Sequence, residues 1–370
     1  MRNSDWATSS FYRWLPVAAM CAVVLADHMT WQDTSLLPLF AVGPALAAAA
    51  GPRLRVASAT AIAVGLCAVT AVQHDRFGST RFLVALTAIV VVAVASWFVA
   101  TLRLRTEKEL TDVRAVADTV QQVLLGPVPA RTRGGRLAVS YTSAANEARI
   151  GGDLYEALPL ADGSVRIIVA DVQGKGLPAV RTTAVVLAAF REAAPYADGL
   201  DDVGRRIERA LGRRTENDRF VTAVLAEIAA DGSVELLNHG HPAPLVRRGD
   251  GLLETAEPHR PGPPLGLDGL TDTGPGRHRT TLEAGDRILF HTDGLTEARD
   301  AAGEFYPVLD RAGAALAEPD PDEALAGLRR DVARHTRAPL TDDSAFLLYQ
   351  HAPPVRAPRP AGHPRAERVA

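Results

Sequence analysis

Asp153, Asp171, Asp293 and the pair Asp342-Asp343 are the residues whose placement could do chemistry, because each falls at or beside the end of an apolar run. Asp153 follows Gly151-Gly152, Asp171 closes the run Val165 to Ala170, Asp293 follows Ile288 to His291, and Asp342-Asp343 precedes Ala345 to Gln350. If the last two runs are antiparallel strands, the end of one lies beside the start of the other, and Asp293 meets Asp342. A hairpin at Asp162-Gly163 likewise folds Asp171 back towards Asp153. Converging carboxylates repel unless they are protonated or bridged by cations, and an oxygen-only set suits Mg²⁺ or Mn²⁺ rather than zinc. Two such ions ~3.5–4 Å apart would generate a hydroxide nucleophile and neutralise charge on a phosphoryl group, giving hydrolysis without a covalent intermediate. A single Asp-Gly reads as an ordinary turn, so the weight rests on four aspartates at strand ends together. Gly151, Gly152, Gly174, Gly176 and Gly294 flank them, where close backbone approach to an ion or phosphate requires a residue without Cβ.

The elements that must position these aspartates are legible as runs of apolar and β-branched residues. Strands are predicted over Leu137 to Tyr141, Val165 to Ala170, Thr222 to Ile228, Val234 to Asn238, Arg287 to His291 and Ala345 to Gln350. Asp162-Gly163 and Asp231-Gly232 favour antiparallel hairpins. Helical patterns lie at Ala179 to Ala194, Asp202 to Arg213 and Asp322 to Arg334. Strands and helices that cluster rather than alternate predict an α+β fold, not a doubly wound one. No internal repeat is evident.

At 370 residues the chain exceeds one ordinary domain, and its apolar residues, 47% of the total, are concentrated at the N-terminus. Four apolar stretches run from Leu15 to Met29, Leu36 to Ala50, Leu54 to Val72 and Phe82 to Thr101. The last two approach the ~20 residues needed to cross a bilayer, and the first two are short. About four membrane helices are expected within residues 1–102. Arg2, Arg13, Arg53, Arg55, Arg103, Arg105 and Lys108 fall on one side of an even number of crossings, which makes that side cytoplasmic, while Arg76 and Arg81 in the opposite loop weaken the bias. A cleaved signal peptide is the competing reading of the first stretch, and no cleavage site followed by a secreted domain supports it.

Residues 103–136 are expected to form a linker helix and connector. Leu110, Val113, Ala117, Val120 and Leu124 share one helical face, which could pack on the chain's own domain or form a homodimer, and Gly126, Pro127 and Pro129 end the helix. Residues 137–350 read as the globular domain, and 351–370, rich in Pro, Arg and Ala, as a disordered tail. A net charge of -3 offers no large basic field, so no nucleic-acid partner is expected. Cys21 and Cys67 lie within apolar stretches without zinc-ligand spacing and read as small core or lipid-facing residues.

Weaker signals are set against blander readings. His239 and His241, beside Gly240 and Pro242, read as loop braces rather than metal ligands, because the site is otherwise all oxygen. Gly174-Lys175-Gly176 lacks the upstream glycine and the following Ser/Thr of a phosphate-binding P-loop. Arg149 could contact a substrate phosphate, with a surface salt bridge as the alternative. No Gly-x-Ser-x-Gly elbow is present, which argues against a serine hydrolase.

The strings Gly151-Gly152-Asp153-Leu154-Tyr155-Glu156, Asp171-Val172-Gln173-Gly174-Lys175-Gly176-Leu177-Pro178-Ala179, Asn238-His239-Gly240-His241-Pro242, Thr292-Asp293-Gly294-Leu295-Thr296-Glu297 and Asp342-Asp343-Ser344-Ala345 occur in an order that resembles the PPM-type phosphatases. The chain is similar to the bacterial SpoIIE/RsbU-like branch over residues 137–350. The resemblance implies a β-sandwich flanked by α-helices, with a site for two Mn²⁺ or Mg²⁺ ions at one end. It implies that Asp171 bridges both ions, that the Val172 carbonyl binds one, that Asp293 and Asp342 (with Asp343 beside it) hold the other, and that Asp153 lies on the first ion's side. It further implies a phosphoserine or phosphothreonine substrate on a STAS-type anti-sigma factor antagonist. Glu156 stands where the branch usually has Asp, with an altered water-mediated metal contact as the expected consequence, and His239 replaces a small loop residue.

The sequence therefore predicts a multi-pass, lipid-embedded protein serine/threonine phosphatase with its catalytic domain in the cytoplasm. The alternative from another class is a membrane signalling scaffold that binds a phosphoprotein without hydrolysing it.

Overall fold

A computed structural model describes residues 2–29, 36–142, 152–213, 220–267, 273–337 and 343–352. The chain divides into two units, Met1–Val113 and Arg114–Ala370.

The first unit is helical. It comprises α1 (Arg2–Met29), a short 3-10 turn (Leu37–Ala41), α2 (Val42–Ala50), α3 (Arg53–Gln73) and the N-terminal part of α4 (Thr80–Leu124). Among the described residues, Arg53–Gln73 and Thr80–Glu109 are long and apolar enough to cross a membrane, with mean hydropathies of 1.8 and 2.7. The apolar segments Trp14–Met29 and Leu37–Ala49 are shorter, so two of the four predicted spans reach the length criterion. Met20, Phe40, Cys67, Phe82 and Ile89 form one buried cluster, whereas Cys21 is exposed, in keeping with the expected roles of the two cysteines. Arg103 of α4 donates to the carbonyls of Ala48, Ala49 and Gly51 at 3.2, 2.5 and 3.1 Å, satisfying acceptors that the end of α2 leaves open.

The second unit is a sandwich of two antiparallel five-stranded sheets with helices outside. One sheet has the order β1-β10-β9-β6-β7, from β1 (Gly135–Thr142), β10 (Ser344–His351), β9 (Arg287–His291), β6 (Leu245–Arg247) and β7 (Leu253–Thr255). The other runs β2-β3-β4-β5-β8, from β2 (Asp153–Pro159), β3 (Val165–Val172), β4 (Val221–Ile228), β5 (Ser233–His239) and β8 (Gly276–Thr281). The expected α+β sandwich flanked by helices is the architecture observed.

Side-chain alternation explains the layers. Along β10, Ala345, Leu347 and Tyr349 join Tyr155, Ile167 and Val169 of the opposite sheet in one core. Phe346 and Leu348 face the other way and pack with α8 (Val308–Ala315) and α9 (Pro321–Thr336). The second sheet is covered by α5 (Leu177–Ala193) and α6 (Leu200–Gly212), whose Val186, Phe190, Val203 and Ile207 complete the main core.

Each sheet pins its helical layer through a buried arginine. Arg166 of β3 donates to Glu227 Oε2 at 2.7 Å and to the carbonyls of Ala194 and Ala197, just beyond α5. Arg287 of β9 donates to the carbonyls of Leu316 and Pro319 at 2.8 and 3.0 Å, just beyond α8. A guanidinium suits this task because its planar fork reaches several carbonyls at once while its charge meets the negative end of a helix.

Candidate metal centre

Register brings the first two aspartates together. In the β2–β3 hairpin Asp153 is the direct partner of Asp171, and Asp171 is in turn paired with Thr222 of β4. The second sheet edge arrives from the β9–β10 pair, in which Phe346 lies opposite His291. Asp293 opens the four-residue α7 (Asp293–Thr296) immediately beyond β9, and Asp343 immediately precedes β10.

Asp153, Asp171 and Asp293 each present a carboxylate oxygen, and these atoms lie within 4.8 Å of one another. Asp153 is buried, and burial first, then the nearby Asp171 charge, pushes its carboxyl well above the usual carboxylate range. The Thr292 hydroxyl opposes that shift, while Asp343 and Asp293 add to it. Carboxylates this close, with Asp153 buried and Asp171 and Asp293 half-buried, are unfavourable as anions by themselves and become favourable around a divalent cation. An all-oxygen donor set fits Mg²⁺ or Mn²⁺.

Glycines permit the convergence. A Cβ at Gly152 would overlap the Val172 carbonyl oxygen and lie 2.5 Å from Asp171 Oδ1, which places that carbonyl against the same turn. The Val172 N–H donates to the Gly152 carbonyl at 3.2 Å and closes it. A Cβ at Gly294 would overlap the Asp343 carbonyl oxygen. Asp343 itself is buried. Asp342 and Arg149 lie outside the described residues, as does Gly151.

Thr292 is a site residue that sequence reasoning quoted but gave no role. Its hydroxyl donates to Asp153 Oδ2 at 2.7 Å and accepts the Ala345 N–H at 3.0 Å, so one fully buried oxygen ties the two sheets together at the aspartates. A hydroxyl directly before Asp293 was the available signal, but its partner is 139 residues away. We expect Thr292→Val to weaken metal affinity by about 10–100-fold, the usual effect of losing a group that orients a ligand. Calorimetric titration of wild type and variant with Mn²⁺ checks this, and equal affinities would rule out a positioning role.

The histidines brace the site. His241 Nε2–H donates to the His291 carbonyl at 3.1 Å, so its Nδ1, 3.0 Å from Thr222 Oγ1, is the acceptor. Burial, then the proximity of His291, pushes its pKa down to about 3, which keeps the ring neutral. Asn238 closes the loop by donating to the His241 carbonyl and accepting the His241 N–H, both at 2.8 Å. His239 is buried against α6, facing Gly204.

Glu156 differs from expectation. An odd offset from Asp153 along a strand points it to the opposite face. There it accepts a 2.7 Å hydrogen bond from Arg191 Nε of α5 instead of facing the metal site. The same arginine donates through Nη2 to the Leu124 carbonyl at the end of α4, also at 2.7 Å.

Comparison with known proteins accords with this geometry. The RsbU and RsbW domains of Rv1364c from Mycobacterium tuberculosis are 26% identical with a TM-score of 0.54, covering 62% of each chain. The present chain thus spans about 62% of the length of that protein. The SiaA-PP2C domain of Pseudomonas aeruginosa shares the fold at 18% identity and TM-score 0.53, over 68% of this chain and 99% of its own. A structure of the PP2C phosphatase domain and a regulatory-domain fragment of SpoIIE from Bacillus subtilis does so at 19% and 0.50, over 60% and 65%. Residues 161–352, more than half of the chain, match the family model described as Stage II sporulation protein E (SpoIIE). The chain therefore belongs to the SpoIIE family and carries its PPM-type serine/threonine phosphatase domain.

Proposed function

We propose that this protein is a membrane-anchored, metal-dependent protein serine/threonine phosphatase whose substrate is a phosphorylated regulatory protein, of the STAS-type anti-sigma factor antagonist class. The observation that carries the reading is the meeting of Asp153, Asp171 and Asp293 at the ends of two sheets. In this proposal Asp171 is shared by two ions, the Val172 carbonyl and Asp153 serve one, and Asp293, Asp342 and Asp343 serve the other. Bound Mn²⁺ or Mg²⁺ would supply an activated water and charge neutralisation at a phosphoryl group. The chain's own part is to hold the carboxylates in register, to fix Asp153 through Thr292, and to keep His241 neutral as a brace. Arg149 is proposed to meet the substrate phosphate.

A match to a chain containing RsbU and RsbW domains supports the choice of an anti-sigma regulatory partner. The two long apolar helices support membrane attachment. We place further crossings at the shorter apolar segments, and the catalytic domain on the cytoplasmic, arginine-rich side. The expected result is that the purified chain in detergent releases phosphate from phosphorylated STAS-type proteins of the same genome with Mn²⁺ or Mg²⁺, and none after chelation. Stable binding of the phosphoprotein with no release at any metal concentration would instead establish the scaffold reading.

A second reading concerns control. Arg191 joins the end of α4 to β2, the strand that begins at Asp153, so movement of residues 103–124 would be felt at the site. Gln121 adds a 2.7 Å bond to the Tyr141 hydroxyl, and Leu125 enters the core. The Arg191→Ala variant is expected to retain metal-dependent turnover while losing the difference in activity between the membrane-embedded chain and a chain whose 103–113 segment is replaced by a flexible linker. Unchanged control in Arg191→Ala would leave membrane tethering as the whole role of α4. A homodimer through the exposed part of the same helix is proposed as its context.

A further inference from the structure

The helical unit brings a second group of side chains of metal-ligating type near one another at one end. α1 ends at Met29 and α3 at Gln73, and Asp27, His28 and His74 meet there. This is the end of α3 opposite Arg53.

Asp27 is unusual for its surroundings, being a carboxylate on an apolar helix and only 5% exposed. Ionisable groups buried among membrane-type helices are costly and are kept for function. Its Oδ1 accepts the Leu36 N–H at 2.9 Å, and its Oδ2 lies 3.8 Å from His74 Nε2. The His28 and His74 rings face each other across 6.5 Å between centroids, tilted by 51°. Metal–donor bonds of about 2.0–2.2 Å place neighbouring tetrahedral donors roughly 3.3 Å apart, so the carboxylate–imidazole pair at 3.8 Å is near ligating distance, and the exposed His28 ring must swing towards it to complete the set.

The backbone at His74 is fixed. Its N–H donates to the Thr70 carbonyl at 3.2 Å, Asp75 adopts the left-handed conformation with φ 50°, and the Arg76 N–H returns to the Ala71 carbonyl at 2.8 Å. A donor held on a hydrogen-bonded helix terminus loses little freedom on binding.

We propose that Asp27, His28 and His74 form a binding site for a borderline transition-metal cation of the Zn²⁺ class, distinct in chemistry from the oxygen-only aspartate set. Two imidazoles with one carboxylate select Zn²⁺ over Mg²⁺, whereas the catalytic aspartates favour the harder ion. A signal read at this end of the helical unit would then be a metal ion. The inference stands independently of the catalytic reading, since no residue is shared.

The test uses the full chain in lipid nanodiscs, equilibrated with Zn²⁺ in a large excess of Mg²⁺ that occupies the aspartates, followed by metal analysis. Wild type should hold one more Zn²⁺ per chain than His74→Gln, and His28→Gln should bind it at least tenfold more weakly. His28 is exposed, so its variant keeps the test valid if replacing His74 disturbs the helix end. With Co²⁺ as the probe, the intense visible bands of a four-coordinate nitrogen-containing site should appear in wild type and fade in both variants. Equal Zn²⁺ content and equal Co²⁺ spectra in wild type and the His28→Gln/His74→Gln double variant would overturn the proposal, leaving Asp27 as an ion-pair partner of His74.

Discussion

Asp171→Asn should abolish metal-dependent turnover while making the metal-free protein more stable. Asp171 is the register partner of Asp153, and its oxygen lies within 4.8 Å of both Asp153 and Asp293. Removing the carboxylate proposed to be shared between two ions forfeits several kcal/mol of transition-state stabilisation, so phosphate release should fall by about a thousandfold or more. Stability moves the other way without metal, because the substitution removes a like charge beside the buried Asp153. That relief is on the order of 1–4 kcal/mol, or about 2–4 °C in Tm for each kcal/mol. The pH dependence follows from the direction of the Asp153 shift. Its folded pKa is raised, by burial first and then by Asp171. The protonated form is therefore the favoured one in the folded state, and its contribution is fully present below the unfolded pKa of about 3.9 and lost as pH rises through the raised folded value. In EDTA the variant should accordingly gain most over wild type at the alkaline side of that value. Added Mn²⁺ should stabilise wild type by mass action and the variant far less. Melting curves at several pH values, with EDTA and with Mn²⁺, test all three statements. Retained turnover, or an apo variant less stable than wild type, would contradict the arrangement.

The parts of this structure that were legible in the sequence are those whose cause is local. The β2–β3 hairpin follows from Asp162-Gly163, and Asp162 Oδ1 accepts the Ser164 N–H at 2.9 Å in that turn. β9 and β10 are apolar runs that could only be buried strands, and their antiparallel pairing brings Asp293 beside the start of β10. β6, three residues long, was not foreseen, nor were β7 and β8. β7 is three residues long and lies at a sheet edge, and β8 reads Gly-Arg-His-Arg-Thr-Thr, a polar edge strand whose Arg279 pairs with Glu235. Such edges carry no apolar periodicity, and charge there discourages pairing with another chain. That the end of α4 would be held by Arg191 was not foreseen. That arginine, like Arg166 and Arg287, acts on carbonyls distant in sequence, and nothing in a local window marks it. Glu156 is a different case, since the strand's period of two already separates it from Asp153 by face.

Gly152→Ala should damage the site without touching any ligand. An added Cβ would overlap the Val172 carbonyl oxygen, lie 2.5 Å from Asp171 Oδ1 and 2.9 Å from the Val172 nitrogen. Two of these three atoms are backbone, held by the Val172 N–H bond to the Gly152 carbonyl, so no side-chain rotation relieves the clash. The start of β2 and the end of β3 must separate, and that displaces Asp153 relative to Asp171. A misplacement of about 1 Å costs roughly a hundredfold in rate, and overpacking of this kind costs about 1–3 kcal/mol of stability. Gly199→Ala is the matched control, because a Cβ there meets nothing within 4 Å and its φ of 178° is open to any residue. We expect Gly152→Ala to show weaker Mn²⁺ binding and turnover reduced about a hundredfold, and Gly199→Ala to remain near wild type in both. The ratio of the two effects is informative about geometry. If the aspartates worked as independent surface charges, spreading the hairpin by a fraction of its width would change binding little. If they work as one constellation, a single methyl group at Gly152 should approach the loss produced by removing a ligand. Near-wild-type Mn²⁺ affinity in Gly152→Ala would show that the cluster tolerates that displacement, and that the turn's glycine serves the chain rather than the ion.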